Sequence, residues 1–412
     1  MAKNIIVAGG GAAGLMAAIA AAIAAADVGA PETITVLEKM ERVGKKILAT
    51  GNGRCNLSNW NACAGHTHYH GEAPEFAERA LNAFNPEKTL AFFQRWGLMC
   101  KTEDDGRIYP MCNQASAVLD ILRGALDHLG VHVRKADVSD ISIQKKGFAV
   151  SIHGGERLAC DKVIVATGGR AAPALGGSGG GYALMEKMGH SITPVYPALV
   201  QLRSDSPWMK RLKGIRARGG ITLQSSGRVL IERVGELQFT GYGVSGIPAL
   251  DASGFASNQK TCEALLDFAP DMTPEDLNQC LASRAKALSH VSMDRFFIGF
   301  FHRLMGEMFV KYAGVPLTLP AADLSSEQMS ALVSAIKCFT VPIAGTNGFS
   351  EAQVTGGGVR VQEMNPSTME SKKQKGLYAA GELLDIYGDC GGYNLQWAWS
   401  SGYAAGVSAA LD

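Results

Sequence analysis

Residues 4–14 read NIIVAGGGAAG, a short apolar run followed by Gly9, Gly11 and Gly14 at the spacing G-x-G-x-x-G. The alanine-rich stretch LMAAIAAAIAAA comes directly after, and at twelve residues it predicts a packed helix rather than a bilayer span. The turn between strand and helix needs small residues for separate reasons. Gly9 allows the tight turn, Gly11 lets a pyrophosphate approach the backbone, and Gly14 permits close helix-to-strand packing. A second β-rich run, TITVLEK at 33–39, carries Glu38 about as far beyond the glycines as a ribose-binding acid is expected. Strand, glycines, helix, strand and acid together predict a dinucleotide site opening an α/β, Rossmann-like fold.

This unit alone fits NAD and FAD equally, because both present an adenosine diphosphate to the turn. Two later runs separate them. KVIVATGG (162–169) ends a strand in Thr167-Gly168-Gly169, and GLYAAGE (376–382) ends another in Gly381-Glu382. An extended FAD uses both, with an acid such as Glu382 placed for ribityl hydroxyls. GDCGGYNLQWAWSSG (388–402) follows, two glycines ahead of an apolar helix. The N terminus of that helix would face the flavin's pyrimidine edge and favour the reduced anion.

The 412 residues carry 39 basic and 38 acidic side chains, so no overall field recommends nucleic acid as a partner, and a small molecule is the expected ligand. Nine cysteines with no C-x-x-C pair argue against a disulfide scaffold or zinc site, and no basic leader precedes the apolar helix; both readings predict a cytoplasmic protein without membrane insertion.

Six ordered landmarks, VAGGGAAGLMAA, LEKMERVGKKILATGNGRCNLSN, VIVATGG, GELQFTGYGVSGIPAL, VTGGGV and GLYAAGELLDIYGDCGGYNLQWAWSSGYAAG, give nearly the whole chain a resemblance to the BaiN/YhiN-like family of FAD flavoproteins. The resemblance implies a two-dinucleotide-type FAD fold interrupted by a β-barrel-like region and a helical insert. It implies that Gly9, Gly11, Ala12, Ala13 and Gly14 form the pyrophosphate turn and that Glu38 and Lys39 take the adenosine ribose. Lys45 and Gly51 to Asn56, including Arg54, would line the flavin, and Val138 would meet adenine through its backbone. Thr167 and Gly168 form a second contact, and Gly381, Glu382, Gly392, Asn394 and Leu395 serve the ribityl chain and ring. Family activities include reduction of conjugated double bonds in oxo-steroid or bile-acid intermediates and, in another branch, amine oxidation. Two positions depart from the pattern: Gly241 stands where His or Glu is frequent and Cys390 where Thr is frequent.

The expected reaction is therefore FAD-dependent reduction, driven by NADH or NADPH, of an enone-type double bond in a hydrophobic, steroid-like substrate, with oxidation of a small amine as the alternative. Arg54, Tyr109 and Tyr242 are the candidate proton or hydrogen-bond donors for such chemistry. His66, His68 and His70 in GHTHYHG read as a surface loop or lid rather than a metal site, and Cys55 and Cys390 as packing. The basic run MKRLKGIRAR (209–218) reads as a solvated strand face.

Along the chain, 1–194 reads as the first part of the FAD domain, 195–255 as an inserted β-rich region, 256–337 as a helical insert, and 338–412 as the return. Within the first part, 74–130 carries helical spacing and 131–161 alternates as short strands; Thr273-Pro274-Glu275 signals a helix start in the insert.

Overall fold

The computed structural model describes residues 3–30 and 32–412. The chain divides into two compact units, one comprising the chain up to Tyr196 together with Gln353–Asp412, the other Pro197–Ala352.

In the first unit five parallel strands form the central sheet, in the order Leu377–Ala379, Lys162–Val165, Lys3–Ala8, Glu32–Glu38, His132–Lys135. The first strand lies in the middle, paired with Lys162–Val165 on one side and Glu32–Glu38 on the other. Ile5, Val7, Val36 and Ile164 are buried, as a parallel sheet covered on both faces requires. The predicted strands of 131–161 are present, the last three forming an antiparallel sheet of Val138–Ile143, Phe148–Ile152 and Arg157–Cys160.

Helix Ala12–Asp27 leaves the first strand, and helix Tyr393–Leu411 packs along it. Their approach is set by missing side chains. A Cβ on Gly402 would lie 2.4 Å from the Ala13 carbonyl oxygen, and one on Gly406 2.1 Å from that of Ala17. Neither backbone has room to retreat in a core packed at crystal-like density.

The expected helical stretch 74–130 needs correction. Helices Ala77–Ala83 and Pro86–Arg95 are separated at Asn85, whose side chain caps the second by accepting from the Lys88 N–H. Strands Cys100–Thr102 and Arg107–Pro110 then intervene before helix Ala115–His128. With Ser58–Asn59 they make a small antiparallel sheet.

The second unit has a seven-stranded sheet built on the long hairpin Arg216–Ser225 and Arg228–Thr240. Its outer strands, Phe339–Ile343 and Gly345–Thr346, are joined through Ala344 alone, so the sheet curls back on itself. Among the described residues no ladder joins those two strands to each other; the stretch 339–346 pairs with Cys262–Asp267 at one end of the sheet and with Leu202–Arg203 at the other. The region expected to be helical also begins with a strand, Cys262–Asp267, which pairs with Arg216–Ser225 and Phe339–Ile343. Helix Pro274–Ala287 does start where predicted, with the Thr273 side chain accepting from the Asp276 N–H. Strands and helices share one hydrophobic core, Leu223 and Leu266 with Leu277, Phe309 and Ile336. In the basic run, Arg216 and Arg218 are exposed and pair with Glu236 and Asp271.

Two stability tests follow from the first unit. Gly406→Val, which drives a branched side chain into the Ala17 backbone, is expected to destabilise the fold by about 1–3 kcal/mol, read by urea denaturation. The second concerns acid. Glu363 accepts from the Ser191 N–H and hydroxyl and from Lys373, beside buried His190. Burial alone would raise its carboxyl, but these partners prevail and hold it down at about 2, against the usual 4.5. Its contribution is thus complete above pH 4.5 and is lost as pH falls toward 2. Glu363→Gln should flatten the decline of unfolding free energy across that window.

Candidate functional site

The glycines of the first turn have different neighbours. A Cβ on Gly9, whose φ is +107°, would lie 2.4 Å from the Ala166 carbonyl oxygen, and one on Gly14 1.9 Å from the Gly9 oxygen. Protein packing explains both. Around Gly11, the residue that caps helix Ala12–Asp27, nothing lies within 4 Å of a built Cβ. The turn is open there, in front of first-turn N–H groups that have no partner within the helix, which is the geometry of an anion seat.

Glu38 ends the second strand with both oxygens oriented, accepting from the Gly10 N–H at 2.8 Å and the Met40 N–H at 2.8 Å. Its carboxylate keeps lone pairs for a diol. Beyond it, Lys39 donates to the Ser178 hydroxyl at 2.6 Å. Lys39, Val138, Ser178 and Leu184 line a cavity of about 300 Å³, enough for a purine ring. Two residues expected from the resemblance at the adenosine end therefore border one hollow.

At the carboxyl ends of the strands on the other side of the first strand, Thr355 is the joint. Its hydroxyl accepts from the Arg170 and Ala171 N–H groups at 2.8 and 2.9 Å and donates to Glu382 Oε1 at 2.9 Å. Lys46 donates to Glu382 Oε2 at 2.6 Å. The lysine that reaches this carboxylate is Lys46, while Lys45 of the same turn is exposed. Gly381 takes a φ of +73° and donates its N–H to the Ser401 hydroxyl, and Trp397 Nε1 donates to its carbonyl. This corner is pinned to the last helix. Gly168 has a φ of +71° and no atom within 4 Å of a built Cβ.

The 51–56 segment turns back through Gly51 and Asn52, with φ of 56° and 55°. Arg54 donates to Asn113 Oδ1 and Glu103 and lies 4.1 Å over the Tyr109 ring, so it orders this loop rather than standing free as an acid. Cys55 is buried and its thiol is pushed up to about 12 by that burial, which keeps it protonated. All nine cysteines are free.

The last helix is capped by Gly392, φ +99°, where a Cβ would lie 2.4 Å from the Ser58 carbonyl oxygen and 2.8 Å from Asn56 Oδ1. Asn394 is committed to the turn before the helix: it accepts from the Gly388 N–H and donates to the Gly388 carbonyl, each at 2.8 Å. Only its backbone remains for a ring, with that of Leu395. The histidine run is an exposed turn through Thr67, as a surface loop would be, but it then joins a strand. Tyr69–His70 pairs with Tyr387–Gly388, and buried Asp389 meets His68 Nδ1 at 3.1 Å and His70 Nε2 at 2.6 Å. His66 instead pairs with Glu78. Among the described residues no cluster of three or more His, Cys, Asp or Glu is placed to hold a metal. Tyr242 lies in the other unit, 41% exposed at the Thr240–Gly243 turn.

FAD fits these residues on two observations. Gly11 leaves a gap that no protein atom fills. Asn56 Oδ1, Thr167 Oγ1 and the Tyr182 hydroxyl are buried without a hydrogen-bond partner, a costly state unless a ligand supplies one. Sequence reasoning missed Thr355, Lys46, Tyr182 and the Asp389 pairing; the strand end VTGGG was the available signal for Thr355.

The model of the HI0933-like protein Rossmann domain matches residues 3–408. The chain belongs to that family. It is an enzyme of the FAD-dependent oxidoreductase class, as the site's construction and the family agree. The 3-dehydro-bile acid delta(4,6)-reductase of Clostridium scindens is 40% identical over 413 residues, covering 99% of each chain. The ribosomal RNA dihydrouridine synthases of Haemophilus influenzae and Escherichia coli are each 29% identical, covering 98% of this chain and of the relative in the first case, and 97% and 96% in the second.

Two glycine variants separate ligand from packing. Gly11→Val should fold and, flavin-free, melt like wild type, yet hold FAD at least about tenfold more weakly, roughly 1.4 kcal/mol, by equilibrium dialysis. Gly14→Val should not give a folded protein by circular dichroism.

Proposed function

We propose that this protein uses FAD and NAD(P)H to reduce a carbon–carbon double bond conjugated to an oxo group in a hydrophobic, steroid- or bile-acid-like substrate. The observation that carries the reading is the full-length, 40% identity to a reductase of 3-dehydro-bile acids. When bound, FAD would accept two electrons from the nicotinamide and pass a hydride to the substrate.

The chain's residues hold and tune that cofactor. Gly11 and the N terminus of helix Ala12–Asp27 would take the pyrophosphate, with Glu38 on the ribose. Glu382, oriented by Thr355 and Lys46, would accept from ribityl hydroxyls, and Thr167 and Tyr182 would add hydroxyl contacts from the same side. Asn56 and the first turn of the last helix present an amide and a positive dipole end to the ring. We further propose a cytoplasmic location; among the described residues no helix is long and apolar enough to cross a membrane.

Uridine of ribosomal RNA is a second reading, favoured by the 29% identity to the two dihydrouridine synthases. The near-neutral charge of the chain weighs against it, because phosphate contacts dominate RNA affinity.

The test is an anaerobic titration of the purified holoenzyme. NADH or NADPH should bleach the flavin, and a 3-oxo-4,6-diene steroid should restore its colour without oxygen. Restoration by an unmodified rRNA transcript instead would select the second reading. Bleaching by an amine, with colour returning only in air, would make the protein an oxidase.

A further inference from the structure

The small antiparallel sheet delivers a cation to the glycine turn before the last helix. Asn59 and Arg107 are cross-strand partners, so their side chains leave the same face of the sheet. Asn59 shows where that face points: its Nδ2 donates to the Gly391 carbonyl at 2.9 Å. Tyr109, two residues beyond Arg107, is on the same face, its ring edge against Gly51 and Arg54 over its plane, while Ile108 turns into the core. Arg107 thus extends toward the 390–391 turn, beside Cys390, with the Tyr109 phenol as a partner. Its side chain is 28% exposed, and Asp105 engages one nitrogen at 2.7 Å. A guanidinium has five N–H donors, so donors remain after Asp105 and Tyr109 are served.

The position next to the helix start matters because a second positive influence acts there. The first turn of the last helix adds its dipole, and the buried Asn56 Oδ1, which has no hydrogen-bond partner, marks that end as a place where a ligand donor belongs. A half-buried cation beside the glycine turn, engaged by Asp105 and Tyr109, is placed to meet an oxygen that gains charge.

We propose that Arg107 is a catalytic residue that donates to the oxo oxygen of the substrate, an inference that rests on the enone reading above. Reduction adds a hydride from the reduced flavin to the far carbon of the double bond, breaks its π bond and leaves the electron pair as an enolate. A proton from solvent then completes the second carbon–hydrogen bond. Arg107 keeps its protons throughout and stabilises the charged oxygen. Burial works against its charge, but Tyr109, Asp105 and Cys390 offset this and hold the guanidinium above its ordinary value, so it remains a cation at any working pH.

The experiment is stopped-flow reoxidation of the photoreduced holoenzyme by a 3-oxo-4,6-diene steroid lacking a carboxylate, comparing wild type, Arg107→Gln and Arg107→Lys. With FAD occupancy and melting temperature at wild-type values, Arg107→Gln should slow reoxidation about 100-fold or more, as loss of one preorganised donor does. Arg107→Lys should recover part of that loss, because a charge remains but the fork does not. Reoxidation at the wild-type rate in Arg107→Gln overturns the inference while leaving the enone reading intact. So does a defect confined to carboxylate-bearing steroids, or loss of FAD in both variants. If wild type itself is not reoxidised by the enone, both the reading and the inference fall.

Discussion

The approach of two helices without side chains between them is the constraint on which the site depends. Gly402 and Gly406 of the last helix lie against the Ala13 and Ala17 carbonyls of the first, at separations no Cβ tolerates. This fixes the two helix N termini relative to one another within the first unit. One carries the open turn at Gly11, the other the turn at Gly392. A slip of one helix would move a positive dipole end away from its ligand, since the dipole acts only within the first turn. The alanine run in residues 15–26, which lacks any amphipathic stripe, is explained by the same requirement: it presents a smooth surface to a partner helix.

Polar organisation follows from that placement. Trp397 and Ser401, one turn apart on the last helix, hold the backbone of Gly381, and the Glu382 carboxylate is then shared between Thr355 and Lys46. Four distant stretches converge through buried and half-buried hydrogen bonds, each oxygen having a named donor. Beside Glu32, Trp96 and Tyr378, the buried groups without partners among the described residues are on Asn56, Thr167 and Tyr182. The common feature of these last three is position around the strand and helix ends, where an extended cofactor is expected to lie.

Much of this was legible in the sequence wherever a local pattern has a single physical meaning. The turn 9–14 does join a strand to a helix, Glu38 does end the second strand, strands do precede Thr167 and Gly381, and Thr273 does cap its helix. What escaped were contacts across long separations. The run His66–His70 reads as a loop because nothing in it announces Asp389, more than three hundred residues on. The strands at 100–102 and 107–110 are too short and too charged for alternation to reveal them against helical neighbours. Lys45 and Lys46 are neighbours in one turn, and which of them reaches Glu382 one sequence does not resolve.

The nesting of the second unit, Pro197–Ala352, within the first has a consequence for the order of synthesis. All strands and helices of the inserted unit leave the ribosome as one uninterrupted stretch, so it can close its core while the chain is still growing. The central sheet of the first unit cannot, because its edge strand Leu377–Ala379 and its covering helix Tyr393–Leu411 are made last. Until they arrive, the Ala-rich helix packs only on the strands and helix made before them, without the close approach of Gly402 and Gly406. The first unit can complete its sheet and close the pair of glycine-spaced helices only once its last residues are made.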